Sequence, residues 1–261
     1  MLRIDAASGR AYCTGPVQAS DALLLAGGGL VAGVVNTLAG GGSLLTVPLL
    51  VLMGLPGPVA NGTNRVGVML GSAAATWRLT ALGVSGMRDA APLLVPSALG
   101  AVLGAYGVVQ LPAEAFERAF GLLMLVLLVP TLRGVRLDTA ARRPLPPALR
   151  ALAFFGIGLY GGSFQAGVGV LLLSVLSLAG VDLVRSTHIK TALNTCFTLL
   201  ALPIFWLADQ IRWPEAIALG LGFVAGGALG ARLAVRGGAR VIRPVLACAV
   251  VALAGRMLGL Y

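Results

Sequence analysis

Apolar runs follow one another from residue 21 to the end of this chain, separated only by short polar loops. Most of them approach the roughly 20 residues that an α-helix needs to cross the hydrocarbon core of a bilayer. Charged residues make up 11% of the sequence and apolar residues 58%, which excludes a water-soluble globular domain. The sequence predicts an all-α, polytopic integral membrane protein. Its ten predicted helical segments are 22–38, 43–55, 61–82, 90–111, 116–135, 149–164, 169–181, 185–207, 213–235 and 241–260.

Basic residues are concentrated in alternate loops. The net charge is +10, and most arginines lie in the third, fifth, seventh and ninth loops, whereas the even loops combine a few arginines with acidic residues. Arginines confined to short loops indicate membrane topology rather than a nucleic-acid partner. By the positive-inside rule the odd loops are cytoplasmic, and both termini, including an N-terminal tail at 1–20, are extracytoplasmic. The first apolar run ends without a cleavage site, so no cleaved signal peptide is expected.

The sequence contains a weak internal repeat. Residues 39–45 (AGGGSLL) resemble residues 166–172 (AGVGVLL). The pattern divides the chain into repeat 1 at 21–135, a cytoplasmic linker rich in arginine and proline at 136–148, and repeat 2 at 149–261. Each repeat is a glycine-hinged hairpin followed by three transmembrane helices. Five segments, or three crossings if the hairpin is re-entrant, are an odd number, so the repeats are predicted to be inverted. Whether each hairpin crosses the membrane or only dips into it stays open.

The glycine-rich hinges are the first candidate site. Interrupted helices in inverted-repeat transporters place helix ends near the middle of the membrane, where free backbone N–H groups stabilise an anion. New helices that begin at Ser43 and Gly169 would present such ends. The alternative is that the glycines only let helices pack closely. The hinge candidates are Gly40, Gly41, Gly42, Ser43, Gly167 and Gly169.

Polar residues inside the apolar segments are the second group of candidates. The eighth segment holds His188 and Lys190, the only histidine and the only lysine, and a polar stripe at helical spacing that includes Thr187 and Asn194. Ionisable groups at membrane depth usually face a cavity or a partner; the alternative for Lys190 is to extend to the lipid headgroups. Buried amides donate to an oxyanion or join helices. The remaining candidates are Asn36, Gln165, Asn61, Thr63 and Asn64, with Arg65 as a source of charge or a plain interfacial anchor.

Motifs of common enzyme classes are missing from the sequence. It has a single histidine, no phosphate loop ending in Gly-Lys-Ser or Gly-Lys-Thr, and no pair of acids inside an apolar segment. The cysteines Cys13, Cys196 and Cys248 lack the spacing of a disulfide framework or a thiolate metal site. We therefore expect neither an enzymatic activity nor a cofactor.

Several motifs resemble one family. Residues 39–50 (AGGGSLLTVPLL), 54–56 (GLP) and 62–64 (GTN) are similar to the first-half signature of the sulfite exporter TauE/SafE family, also called the toluene-sulfonate uptake permease family. Residues 167–169 (GVG) and 186–190 (STHIK) resemble its weaker second repeat. The resemblance implies a polytopic permease for sulfite, sulfonates or related organic anions, usually in the bacterial inner membrane. It also implies that the path is lined by Gly40, Gly41, Gly42 and Thr63 and, from the second repeat, by Thr187 and Lys190.

The resulting expectation is a secondary transporter of a small sulfur-containing anion, such as sulfite or an organosulfonate. It would work by alternating access of the two repeats around a midplane site made by helix N-termini. Its partners are the anion and the lipid bilayer, and His188 is a candidate for coupling to a proton. Three alternatives stay open: a passive anion channel, a transporter of another organic anion, and a membrane scaffold subunit that transports nothing. The coupling ion and the formation of a homo-oligomer stay open as well.

Overall fold

The computed structural model describes residues 2–4, 11–13, 18–133 and 146–237. Within these ranges the chain forms nine α-helices and one pair of short antiparallel strands. The elements are β1 (Leu2–Ile4), β2 (Ala11–Cys13), α1 (Ala19–Ala39), α2 (Ser43–Leu52), α3 (Gly57–Ala81), α4 (Met87–Val108), α5 (Ala113–Arg133), α6 (Pro147–Ser163), α7 (Val168–Leu178), α8 (Leu183–Leu207) and α9 (Trp213–Val235).

The first nine predicted segments correspond to α1 to α9 in order. Their ends differ by a few residues: α3 begins at Gly57 rather than at residue 61, because Pro58 fits the first turn of a helix. The strand pair in the N-terminal tail was not predicted; apart from it, the described chain is helical, as predicted. The tenth segment at 241–260 lies outside the described residues, as does nearly all of the linker at 136–148.

Four described helices are long and apolar enough to cross a membrane, namely α1, α4, α8 and α9. Large apolar side chains point outward from them; Leu23, Val95 and Leu207 are 74%, 67% and 85% exposed. Such surfaces suit a lipid solvent. By contrast, α2 and α7 have only 10 and 11 residues, and a helix of that length spans about 15 Å, roughly half of the hydrocarbon core.

Glycines let the long helices pack in parallel pairs with their backbones in contact. On α1, side chains at Gly29 and Gly33 would collide with the backbone of α9. On α6, side chains at Gly158 and Gly162 would collide with the backbone of α4 in the same way. This close approach is typical of glycines spaced four residues apart in membrane helices.

The helices α3 and α8 cross the centre in opposite directions. Thr63, near the start of α3, contacts the backbone N–H of Arg212, which follows the end of α8 and precedes α9. Asp89 and Arg185 form an ion pair at the starts of α4 and α8, so these two helices run parallel. Thus α3 packs along α9, and α8 packs along α4. Exchanging α1 with α6, α3 with α8 and α4 with α9 reproduces these helix pairs.

Charged residues lie at the two ends of the helix bundle. One end, called the basic end below, combines two acids, Asp89 and Asp182, with the six described arginines Arg78, Arg88, Arg150, Arg185, Arg232 and Arg236. The opposite end has more acids than arginines, namely Glu114, Glu117, Asp209 and Glu215 with Arg118 and Arg212. The alternation of loop charge in the sequence thus corresponds to a difference between the two ends of the bundle.

Candidate functional site

The two glycine hinges touch each other inside the bundle. Gly40 ends α1 with a φ of +80°, and Gly169 lies in the first turn of α7. A Cβ built on Gly40 would lie 2.6 Å from the backbone nitrogen of Val170, and a Cβ on Gly169 would collide with the Cα of Gly40. A side chain at either glycine would therefore force the hinges apart.

The second hinge has a strained backbone. Gly167, the N-cap of α7, has a φ of +65°, and Gln165 has a φ of +60°. A positive φ is uncommon for a residue other than glycine, and such strain clusters at functional sites. Neither α7 nor α2, whose N-cap is Gly42, has a side-chain hydrogen bond at its N-cap. Both short helices therefore begin without a side chain covering their first backbone N–H groups.

Lys190 of α8 binds the end of α1. Its side chain is 2% exposed, and Nζ donates to the carbonyl oxygens of Asn36 at 2.8 Å and Thr37 at 2.5 Å. The last carbonyls of a helix have few N–H partners inside the helix and carry the negative end of its dipole; here that of Asn36 also accepts from the backbone N–H of Gly40 at 2.9 Å. The ammonium group is therefore engaged inside the protein, which contradicts the alternative that it extends to the headgroups.

Arg65 of α3 binds carbonyl oxygens at the end of α6 in a similar way. It is fully buried, and its guanidinium lies 4.1 Å from the centre of the Phe205 ring. Nη1 also donates to Oε1 of Gln165 at 3.0 Å. An interfacial anchor would be exposed, so this alternative is contradicted as well. The guanidinium donates to three carbonyl oxygens, those of Gly161 at 3.1 Å, Gly162 at 2.5 Å and Ser163 at 2.9 Å.

A chain of buried amides and hydroxyls connects these two cation sites. Nε2 of Gln165 donates to Oδ1 of Asn194 at 2.9 Å and to Oγ1 of Thr198 at 3.1 Å. Nδ2 of Asn194 donates to Oγ of Ser72 at 2.8 Å, and Nδ2 of Asn36 approaches the same hydroxyl at 3.4 Å. These five residues, called the amide network below, join both hinges to α3 and α8.

Further predicted residues lie beside the amide network. Nδ2 of Asn64 donates to Oγ of Ser43 at 2.9 Å, and Oδ1 of Asn64 accepts from Thr46 at 2.5 Å, which ties the start of α2 to α3. Asn61 donates to the carbonyl of Ser163 at 2.8 Å. Its Oδ1 is buried and lacks a partner among the described residues. Gly41 is buried in the first hinge.

Three predicted residues have contacts that lead away from the amide network. The hydroxyl of Thr63 accepts from the backbone just before α9, and that of Thr187 donates to a carbonyl of its own helix. Nε2 of His188 lies 3.1 Å from Oγ1 of Thr80 at the end of α3, and Nδ1 is buried without a partner in the described structure. The contact of Thr63 ties α3 to the start of α9, that of His188 ties α8 to α3, and that of Thr187 stays within α8.

The interior is rich in hydrogen-bond donors. Two buried cations and three buried primary amides meet there, whereas the acids of the described residues lie at or near helix ends. A protein interior of this kind suits an oxyanion, because an anion accepts several charge-assisted hydrogen bonds without a competing carboxylate. Among the residues that the structure describes, no group of three or more His, Cys, Asp or Glu side chains could hold a metal ion.

Ser72 and Thr46 are members of this site that the sequence pattern did not predict, whereas Thr198 belongs to the polar stripe predicted on the eighth segment. Ser72 is fully buried and accepts from two asparagines, one on α1 and one on α8. A signal for it existed: Arg65 and Ser72 are seven residues apart and share one face of α3, just as Thr191 and Thr198 do on α8. The sequence predicts a polar stripe on α8 only, because α3 has Val68 at the position where α8 has Asn194.

A cavity of about 370 Å³ lies at the basic end of the bundle. It lies between α4, α6, α7 and α8, and its wall includes Ile189, which precedes Lys190. Charged groups surround its mouth, namely Asp89, Arg150, Asp182 and Arg185. The cavity is therefore a charged recess at the basic end of the bundle.

A helical bundle with several spans, two short helices after broken hinges and buried cations beside them defines the class of membrane transporters. The family model described as "Sulfite exporter TauE/SafE" matches residues 25–257 of this chain, and the chain belongs to that family. The family is one of membrane transporters rather than enzymes, which confirms both the resemblance and the expectation of no enzymatic activity.

Curated relatives agree with this family. A "Probable membrane transporter protein ORF9" from Sinorhizobium sp is 29% identical over 87% of this chain and 88% of that protein. A "Probable membrane transporter protein" from Haemophilus influenzae is 28% identical over 84% and 87%. The "Probable membrane transporter protein YfcA" of Escherichia coli is 26% identical over 88% and 86%. No solved structure matches the chain.

Proposed function

We propose that the protein is a secondary transporter of a small sulfur-containing oxyanion, such as sulfite or an organosulfonate, with its site at the two hinges. The observation that carries this proposal is the pair of buried cations, Lys190 and Arg65, which meet the two hinges together with the amide network. The family description supports the class of substrate. An oxyanion with three oxygens can accept from several of these donors at once.

The two repeats, 21–135 and 149–261, are proposed to be inverted halves joined by the linker at 136–148. The exchange symmetry of the helix pairs supports this division, and so do the opposite directions of α3 and α8. Each cation caps a hinge helix of the other repeat, as an inverted two-fold relation would require. The lengths of α2 and α7 favour re-entrant hairpins over hairpins that cross.

Alternating access would use these cross-repeat contacts. An ammonium has three N–H groups, and two of those on Lys190 are bound to carbonyl oxygens of α1. The third is available to an anion that enters between the N-termini of α2 and α7. Binding of the anion would weaken the bonds to α1 and allow this hinge to open, while the bonds of Arg65 hold the other hinge. His188, whose Nδ1 is buried and unpartnered among the described residues, is the proposed site for a coupling proton.

The proposed location is the bacterial inner membrane, with the basic end in the cytoplasm. The positive-inside rule supports this orientation, and the relatives named above are bacterial. It places both termini, including the tail at 1–20, on the extracytoplasmic side.

Uptake into proteoliposomes tests the function. Purified protein would be given radiolabelled sulfite, sulfate or methanesulfonate, with and without an imposed proton gradient. We expect saturable uptake of sulfite or the sulfonate. Saturable flux restricted to carboxylates would contradict the substrate class, and ion current that does not saturate would indicate a channel. Absence of all flux from folded protein would leave the scaffold as the remaining function.

Variants locate the site within that assay. Asn194→Ala removes an amide of the network and should reduce uptake, whereas Gln110→Ala removes an exposed amide at the end of α4 and should not. Lys190→Gln and Arg88→Gln form a second pair, because each removes one positive charge and only the first lies at a hinge. Equal effects within both pairs would contradict the hinge site.

A further inference from the structure

Three arginines surround a second cavity at the basic end, where α3 and α9 finish. Arg78 comes from the last turn of α3, and Arg232 and Arg236 come from the end of α9. The cavity holds about 340 Å³, and the remaining lining is entirely apolar, namely Leu82, Leu229, Leu233 and Val235. Beneath it a small apolar cluster of Ala75, Leu79 and Ala231 fixes the two helices together. The cavity thus combines a concentrated positive charge with an apolar wall.

The positive charge of this corner has no counterion among the lining residues. Three other arginines do have acidic partners: Arg118 pairs with Glu114, Arg185 with Asp89, and Arg212 with Glu215. The lining of the corner contains no acid, and Nε of Arg78 is buried without a hydrogen-bond partner in the described structure. A buried guanidinium nitrogen without an acceptor is costly. An acceptor that is absent from the described chain would satisfy it.

The fold itself does not require this charge. Under the exchange of helix pairs described above, the corner that corresponds to this one lies where α8 and α4 end. There Nε2 of Gln210 donates to the carbonyl of Val109, so the two helix ends are adjacent. Residues 197–211 and 100–112 contain no basic residue. Basic residues near a helix C-terminus favour the helix dipole, but the α4 and α8 ends form without any. A helix end of this kind can therefore form without basic residues, and at the basic end the three arginines also agree with the positive-inside rule.

We propose that this corner binds the phosphate of an anionic phospholipid. Guanidinium groups bind phosphate oxygens through paired, charge-assisted hydrogen bonds, which a cluster of three can surround. The leucines and the valine give the acyl chains an apolar wall next to the phosphate. Basic pockets at the cytoplasmic ends of helices are suited to such headgroups. The site is separate from the hinges, and it does not depend on which substrate the protein transports.

Lipid binding would be measured by native mass spectrometry and by thermal unfolding in phosphatidylcholine nanodiscs with added phosphatidylglycerol. We expect phosphatidylglycerol to bind and to raise the melting temperature. The double variant Arg232→Gln/Arg236→Gln should weaken this binding about tenfold or more, since each cation near a headgroup contributes substantially. The same variant should unfold like the parent protein in phosphatidylcholine alone.

The control is Arg88→Gln/Arg150→Gln, which removes the same charge from exposed positions at the same end of the bundle. It should retain full phosphatidylglycerol binding. Equal weakening in both double variants would overturn the proposal, because attraction would then depend on net charge alone. Glycerol phosphate supplied in solution is the other arm. If it binds as tightly as the lipid, the site takes a soluble phosphate and the assignment to a phospholipid is wrong.

Discussion

The two cation sites at the hinges have the same plan and differ in strength. Arg65 donates to three carbonyl oxygens of α6 and to the side chain of Gln165, and it stacks on Phe205. Lys190 donates to two carbonyl oxygens of α1. A guanidinium is a planar fork with five donors, whereas an ammonium is a compact charge on a flexible stem.

This difference indicates that the two hinges have different roles. The end of α6 is held by more bonds than the end of α1, and the strained Gln165 belongs to the tighter side. A hinge that opens during transport must release its contacts at low cost. The α1 hinge, with its lysine, is therefore the one expected to respond to substrate, and the α6 hinge is expected to serve as the fixed reference.

Removal of the guanidinium should have the largest effect. Arg65→Met leaves the carbonyl oxygens of Gly161 and Gly162 and Oε1 of Gln165 without this donor, and we expect it to lower the free energy of unfolding by about 3–5 kcal/mol. Lys190→Met loses two bonds and should cost about 2–3 kcal/mol. Thermal unfolding in detergent compares the two. Equal losses would contradict the asymmetry.

Among variants that fold, we expect transport to depend more on Lys190 than on Arg65. Lys190→Met should reduce sulfite or sulfonate uptake by about tenfold or more, because the anion loses its charge-assisted donor. Lys190→Arg keeps the charge but not the compact shape, and it should retain part of the activity. Initial uptake rates in proteoliposomes, normalised to inserted protein, measure this. Wild-type rates for Lys190→Met would remove the lysine from the site.

Contact between the hinges can be probed without backbone strain. Gly169 is helical, so alanine fits its backbone, yet the new Cβ would collide with Gly40. Gly169→Ala should therefore destabilise the protein by about 1–3 kcal/mol. Gly156→Ala is the matched control, because nothing lies within 4 Å of its Cβ position. There alanine should be neutral or slightly stabilising. Matching melting temperatures would contradict the hinge contact.

Within the amide network the expected effect is smaller. Ser72→Ala removes the hydroxyl that accepts from Asn194 and Asn36, and it should cost about 1 kcal/mol. Ser174→Ala is the control, since that hydroxyl donates only to a carbonyl of its own helix, and a few tenths of a kcal/mol are expected. Chemical unfolding of both variants would resolve the difference, and a larger effect at Ser174 would be inconsistent with the network.

The exposed ion pair at the basic end should contribute least. Asp89 and Arg185 are 40% and 47% exposed at their side chains, so water screens their attraction. Asp89→Asn should change the free energy of unfolding by less than about 1 kcal/mol. The difference from the parent should shrink as salt is added. A loss comparable to that of Lys190→Met would show that this pair holds the bundle together.

Much of this architecture can be read from the sequence because it depends on local rules. Segment length and apolar content predict the first nine helices, and the glycine runs mark both hinges. The burial of Arg65 could not be predicted from the sequence. A cation near the start of a helix has the same local pattern whether it binds the end of a neighbouring helix or lies at the membrane interface. Only the position of α6, which lies about a hundred residues further on, decides between the two.

Gly42 illustrates the same limit. As the N-cap of a short helix, it would be expected to face an anion directly. In the structure a Cβ on Gly42 would lie 2.7 Å from Cβ of Asn36 and would also crowd the carbonyl of Ala32, so the space is occupied by α1. A bulky residue there would disturb helix packing before it disturbed a substrate. Long-range packing, which no local pattern encodes, determines which hinge glycines have room beside them.

The crossed capping of the two hinge helices has a consequence for how the chain is made. The carbonyl oxygens at the end of α1 receive their ammonium from a residue 154 positions later. At about 5–20 residues per second, a ribosome needs roughly 10–30 s to reach it. During that interval the carbonyl of Asn36 has only the backbone N–H of Gly40, and that of Thr37 lacks its ammonium donor. Neither half can complete its own hinge, so the protein is expected to fold only after both halves have entered the membrane, and separately expressed halves should recover function only when they are produced together.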